Sequence, residues 1–193
     1  MSVIVTKPNI SFAEYLLLPY DRKKTELVDG QIIEIAEASP LHVLIIKFLG
    51  KLLDRHFDDQ KLDLETYAGT GIEIPRAGEN NVRDPDLVVC DRAQMRAMLH
   101  LTKAIFLEGK PPALAIEVVS PGDQSRDTVD KRQEYALARV PEYWIVNPID
   151  DYVLVLLLDG SDYRELGEYR GDEFIDSLLL PKLRVKASEI LAP

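Results

Sequence analysis

The apolar positions change period along the chain, and each change marks an element. Ser11 with Glu14 three residues on is a capping-box pattern that predicts a short helix over about 11–18. Alternating runs at Thr25–Val28 and Gln31–Ile35 flank Asp29-Gly30, a strong hairpin signal. After Pro40, Leu41, Ile45, Phe48, Leu49, Leu52 and Leu53 recur at helical spacing and predict a helix to about His56. The period then shortens. Leu62–Tyr67, Gly71–Ile74, Asp86–Cys90 and Ala113–Val119 read as strands, with a short helix at about 92–99. A helix over 124–138 and the apolar strand Tyr143–Val146 follow. Residues 152–158 and 162–170 flank a second hairpin turn, Asp159-Gly160, and a last short helix falls at 187–191. Residues 1–10 alternate weakly and read as a loose arm.

The middle of the chain sets the fold class. A strand, a helix and a strand over 113–146 favour a parallel pair joined by a crossover. Antiparallel hairpins precede and follow it. The expectation is an α/β fold: a mixed β-sheet flanked by helices, with antiparallel hairpin additions. No repeat or Pro/Gly/Ser-rich linker divides the 193 residues, so a single domain over 1–193 is expected.

Composition changes this picture in two places. Cys90 is the single cysteine, which removes an intrachain disulfide and a cysteine-type zinc site. No apolar run nears the ~20 residues of a membrane span, and no signal-peptide pattern opens the sequence. A cytoplasmic protein with no membrane partner is the expectation. The second place is charge: 33 acidic against 23 basic residues give −10. Such a surface repels phosphate backbones at long range. It argues against a protein that coats nucleic acid, but leaves room for one that meets nucleic acid through a local site.

Three stretches carry candidate chemistry. In Arg83-Asp84-Pro85-Asp86-Leu87-Val88-Val89-Cys90, Pro85 marks a strand entrance and places Asp86 at a sheet end. In Leu114-Ala115-Ile116-Glu117-Val118-Val119, Glu117 interrupts an apolar run suited to a strand buried on both faces. A carboxylate there is costly unless it is paired or bound to metal. On the helix that follows, Asp127, Lys131 and Tyr135 lie four apart, along one face. Two carboxylates suit Mg²⁺ or Mn²⁺, and a nearby ammonium suits developing phosphoryl charge. Plainer readings stand beside these: turn chemistry for Asp86, a buried ion pair for Glu117, and an i,i+4 helix pair for Asp127 with Lys131.

The ordered set of motifs resembles the PD-(D/E)XK nuclease superfamily, and within it the Uma2 family of restriction-endonuclease-like proteins. The matching stretches are Glu26-Leu27-Val28-Asp29-Gly30, Ser39-Pro40-Leu41-His42 and Pro85-Asp86-Leu87-Val88-Val89. They continue with Glu117-Val118-Val119-Ser120-Pro121, the Asp127, Lys131 and Tyr135 series, and Val140-Pro141-Glu142-Tyr143-Trp144-Ile145-Val146, spanning 26–148. The resemblance implies a restriction-endonuclease-like fold and a metal-dependent endonuclease acting on DNA. It implies Asp86 and Glu117 as ligands of Mg²⁺ or Mn²⁺ and Lys131 as the catalytic amine. Glu26, His42, Asp127 and Tyr135 become candidates for lining the site. A homodimer is expected, because cutting both strands calls for two sites. One departure stands out: the superfamily's lysine two residues after the acid is Val119 here. That departure and the acidic charge favour an alternative, a catalytically inactive nuclease fold serving as a binding or regulatory module. A weaker alternative is an interaction protein using the hairpin at 152–170 as a sheet edge.

Overall fold

Among the described residues, two six-stranded sheets meet along a seam; the longest helix covers the second, and a short one packs on the first. The computed structural model describes residues 3–5, 9–19, 23–121 and 129–193, with backbone alone for 3–5. Sheet one contains β1 (Val3–Val5), β2 (Thr25–Val28), β3 (Gln31–Glu34), β5 (Gly71–Ile74), β6 (Asn81–Arg83) and β8 (Ile105–Phe106). Their order is β1-β3-β2-β6-β5-β8, antiparallel except for β5 with β8. Sheet two contains β4 (Leu64–Tyr67), β7 (Leu87–Asp91), β9 (Leu114–Val118), β10 (Glu142–Asn147), β11 (Tyr152–Asp159) and β12 (Asp162–Tyr169). It runs β12-β11-β10-β9-β7-β4, with β9 and β10 as its parallel pair.

The mixed α/β architecture matches the expectation, but as two sheets. Pro85 has no N–H to give a ladder. Strand pairing stops at Arg83 in one sheet and resumes at Leu87 in the other, so Asp84-Pro85-Asp86 is the link between them. Strands β6 and β8 escape a reading of the sequence because they are only three and two residues long. The arm at the start is also more ordered than expected: Val3–Val5 pairs with β3 as an edge strand. Gly71 answers a steric demand, since a Cβ there would fall 2.8 Å from Val82 Cγ1.

Helix α1 (Phe12–Leu17) starts from the Ser11–Glu14 capping box. Helix α2 (Pro40–Gln60) begins with Ser39 as N-cap and Pro40 in its first turn, and runs four residues beyond His56. Its Ile45, Leu49, Leu53 and Phe57 pack on Leu87, Val89, Leu114, Ile116, Val118 and Trp144 of sheet two, with α5 (Ala187–Leu191) alongside. Helix α3 (Arg92–Ala97) follows β7. Helix α4 (Lys131–Leu137) falls within the helix expected over 124–138, of which residues 124–128 lie outside the described residues, and its Tyr135 and Ala136 pack with the opposite face of sheet two, on Val88, Ala115, Tyr143 and Ile145. Strand alternation thus decides where Glu117 points. Leu114, Ile116 and Val118 face α2, so Glu117 shares the α4 side with Ala115 and Val119.

A second buried acid has a purely internal role. Glu142 accepts hydrogen bonds from Trp144 Nε1 at 2.7 Å, Ser177 Oγ at 2.6 Å and the Leu179 N–H at 3.1 Å. It fastens the segment before α5 to sheet two. Cys90 and Trp144 are buried. Among the described residues no helix is long and apolar enough to cross a membrane.

Candidate active site

Among the described residues, the seam between the sheets collects most of the buried charge. Sheet one brings Glu26 from β2 and Arg83 from β6. The Leu27↔Val82 register, continued by one residue, sets them opposite each other. Their side chains meet with Arg83 Nη1 2.7 Å from Glu26 Oε2, and Glu26 is wholly buried. Arg83 also donates through Nε to Glu134 of α4, whose other oxygen accepts from Asn81 Nδ2 at 2.9 Å. Burial works against the Arg83 charge, but Glu26 and Glu134 outweigh it and raise its pKa.

Sheet two supplies Glu117. Lys131, the first residue of α4, places Nζ 2.7 Å from Glu117 Oε1 and 3.7 Å from Glu26 Oε1. One turn later, the Tyr135 hydroxyl donates to the same Glu117 oxygen at 2.6 Å. Burial, and after it the Glu117 charge, push the Tyr135 pKa well up, so this hydroxyl remains a donor.

The link between the sheets adds Asp84 and Asp86. Asp86 lies one residue before β7. Its Oδ1 is 2.8 Å from Lys24 Nζ; its Oδ2 is 3.1 Å from His42 Nε2 and accepts the Val118 N–H at 2.9 Å. His42 stands in the first turn of α2, with Nδ1 3.1 Å from Ser120 Oγ. Burial would raise the Asp86 pKa, yet Lys24 foremost and then His42 hold the carboxyl well below the ordinary range. Lys24 answers in kind: burial disfavours its charge, but Asp86, Asp84 and Glu117 raise its pKa. Asp84 differs from every other acid here. Its Oδ1 is buried with no hydrogen-bond partner, and burial lifts its pKa to about 6 against the pull of Lys24.

Of the residues singled out from the sequence, Asp86, Glu117, Lys131, Glu26, His42 and Tyr135 therefore come together, while Asp127 lies outside the described residues. Lys24, Arg83, Asp84 and Glu134 were not singled out. Period two would have paired Lys24 with Glu26 on one strand face, and Glu134 lies three residues after Lys131 on one helix face.

Chemically, the cluster is an all-oxygen donor set interleaved with ammonium and guanidinium groups. Such donors suit hard divalent cations. Among the described residues, no three His, Cys, Asp or Glu side chains are already grouped as a metal cage. Lys24 and Lys131 instead stand against the carboxylates, and Asp84 Oδ1 is the unpaired oxygen. Three cations stand among five carboxylates, and each of these groups except the Asp84 carboxyl is held by a neighbour on a different element.

Residues 12–188 match the family model Uma2, described as "Putative restriction endonuclease". Among solved structures, the chain is similar to a "putative nuclease belonging to DUF820" from Anabaena variabilis ATCC 29413, with 19% sequence identity and a TM-score of 0.72. That match covers 95% of this chain and 98% of the other, and shows a shared fold. No curated protein matches.

Proposed function

The chain belongs to the Uma2 family, and from that premise we propose that it is a divalent-metal-dependent endonuclease that hydrolyses DNA phosphodiester bonds. The observation that carries the proposal is the convergence of Asp86, Glu117 and Lys131 from three separate elements onto one buried seam. The donor set fits Mg²⁺ or Mn²⁺, with Asp86 and Glu117 as the residues that would hold the ion and the unpaired Asp84 Oδ1 beside Asp86. When bound, the ion lowers the pKa of water and offsets phosphoryl charge.

The chain's own groups do the rest in this proposal. Lys131, held by Glu117 and Glu26, offers an ammonium to the charge that develops on the phosphoryl oxygens. Tyr135 fixes the rotamer of Glu117 by donating to it. His42 and the Val118 N–H fix Asp86 in the same way. Arg83 anchors Glu26 and Glu134, which keeps α4 in register with sheet one. The proposal includes a homodimer, the arrangement that lets two sites address two strands; sedimentation of the purified chain tests that part.

The decisive experiment incubates the purified chain with plasmid DNA and Mg²⁺ or Mn²⁺, beside Glu117→Ala. Hydrolysis that needs the ion and vanishes in the variant supports the reading. Absence of divalent-ion binding, with Glu117→Ala unchanged in every property, overturns it. The alternative, a nuclease fold that serves as a binding or regulatory module, is favoured by one observation: Lys24 and Lys131 already pair with the two carboxylates at 2.8 and 2.7 Å. Titration of the chain with Mn²⁺ in a calorimeter separates the two.

A further inference from the structure

A cleft of about 460 Å³ opens beside the charged seam, between the chain around Lys24 and the turn at 102–104. Among the described residues that line it, three are cationic, Lys23, Lys24 and Lys103, and one is acidic, Asp84. This reverses, locally, the sign of a chain that carries −10 overall. A concave surface of one sign focuses the field toward an oppositely charged ligand.

Each lysine is positioned differently. Lys24 belongs to the cleft wall and to the seam at once, with its ammonium on Asp86 and about a third of the side chain exposed (31%). Lys103 sets its ammonium 4.9 Å from the centre of the Tyr15 ring. That ring is fixed, because Tyr15 is buried and its hydroxyl donates to the Thr25 carbonyl at 2.7 Å. The ring therefore holds a cation at the cleft without neutralising it. Lys23 reaches Glu34 at 2.8 Å on an exposed surface, a contact weak enough to yield to a phosphate.

A separate observation points into the same place. Two buried side-chain polar atoms among the described residues lack a hydrogen-bond partner, Thr70 Oγ1 and Asp84 Oδ1. Of the two, Asp84 belongs to the cleft wall: the Ile72↔Arg83 register, carried one step further, puts it opposite Gly71, where β5 starts and β6 ends. Gly69 lines it with open space where a side chain would stand, which leaves room for close approach to the backbone.

We infer that this cleft binds the sugar–phosphate backbone of a single nucleic-acid strand, with Lys103 and Lys23 holding the phosphates on either side of the one presented to Lys24 and Asp86. The volume falls within the range of ligand sites, and suits one strand where it would not admit a duplex. Lysines act as point charges with no fixed fork, so the cleft takes the backbone whatever its sequence. What becomes of the strand rests on the nuclease reading above; the binding does not.

The test measures anisotropy of a short fluorescent oligothymidylate in EDTA, where no cleavage can occur, across a salt series. Lys103→Gln is expected to weaken binding about three- to tenfold and to lower the slope of log K against log salt by about 0.7, one phosphate's share for a single strand. Lys23→Gln behaves likewise, and Lys103→Arg retains binding. Unchanged thermal melts show that the variants fold. If the wild type cleaves DNA with metal while both Gln variants bind as it does, the cleft assignment is overturned and the nuclease reading stands. If the wild type binds the strand with the expected variant losses but never cleaves, the cleft stands and the nuclease reading falls. Absence of binding at low salt, or tighter binding of a duplex than of its single strand, overturns the inference.

Discussion

Lys131 Nζ lies 2.7 Å from Glu117 Oε1, with both side chains almost wholly buried, although one residue opens helix α4 and the other stands inside strand β9. The pair ties a helix to the sheet it covers through two charges that have left water. Its desolvation cost is offset only while both partners and the Tyr135 hydroxyl are present.

Breaking that pair from one side is therefore predicted to be expensive. Lys131→Met should destabilise the chain by about 3–5 kcal/mol, because Glu117 is then left buried without its cation. Lys131→Met combined with Glu117→Gln should lose less than the two single losses added, since the amide carries no charge and its oxygen still accepts from Tyr135. Urea denaturation of the four proteins reads this directly. Strict additivity would show that the two residues do not couple.

Asp84 predicts a pH dependence of the opposite kind from the usual acid. Its folded pKa is raised from 3.8 to about 6, so the folded state binds the proton more tightly than the unfolded state does. The stability linked to this group is fully present below about pH 4 and is lost as pH rises through about 6. Asp84→Asn removes the charge and should raise stability at pH 7.5 by on the order of 2–3 kcal/mol, the difference fading towards pH 4. Thermal melts of both proteins across pH 4–8 check the sign. A variant equally shifted at both ends of the series would contradict it.

Lys24 and a divalent cation compete for one carboxylate oxygen in the nuclease reading. Lys24→Met leaves Asp86 Oδ1 open and removes a repelling charge, so Mn²⁺ should bind about tenfold tighter, by calorimetry without DNA. The same variant should bind an oligonucleotide less well, since it loses a cleft lysine. Weaker binding of Mn²⁺ would place the ion elsewhere.

Glu142 gives a stability prediction independent of any activity. Glu142→Ala strands the Trp144 indole N–H, the Ser177 hydroxyl and the Leu179 amide, all paired to one carboxylate. A loss on the order of 3 kcal/mol is expected in urea denaturation, with Glu142→Gln recovering part of it.

The sequence made the local elements and the identity of the central acids legible, for a physical reason. Alternation and helical spacing survive in any one stretch, which is why β9, α2 and both Asp-Gly hairpins could be read directly. Glu117 was visible because a carboxylate in an apolar strand violates the local pattern. Arg83 was not, because its partner Glu26 lies 57 residues away and β6 has no apolar run to announce it. Asp84 looked like part of a turn. Only the fold, with Pro85 stopping one ladder and starting another, turns it into a buried acid beside a cleft. The division into two sheets was hidden for the same cause: a proline marks where pairing ends without saying what pairing begins.

The placement of these charges across the seam has a consequence for how the chain comes to be native. Sheet one alone would carry Glu26 with Arg83, and sheet two with α4 would carry Glu117, Lys131 and Glu134. Lys131 with Glu26 and Arg83 with Glu134 join the two halves across the seam, so these buried charges find their partners only when both halves dock in this register. A chain whose seam has closed has its charged cluster in place by the same event.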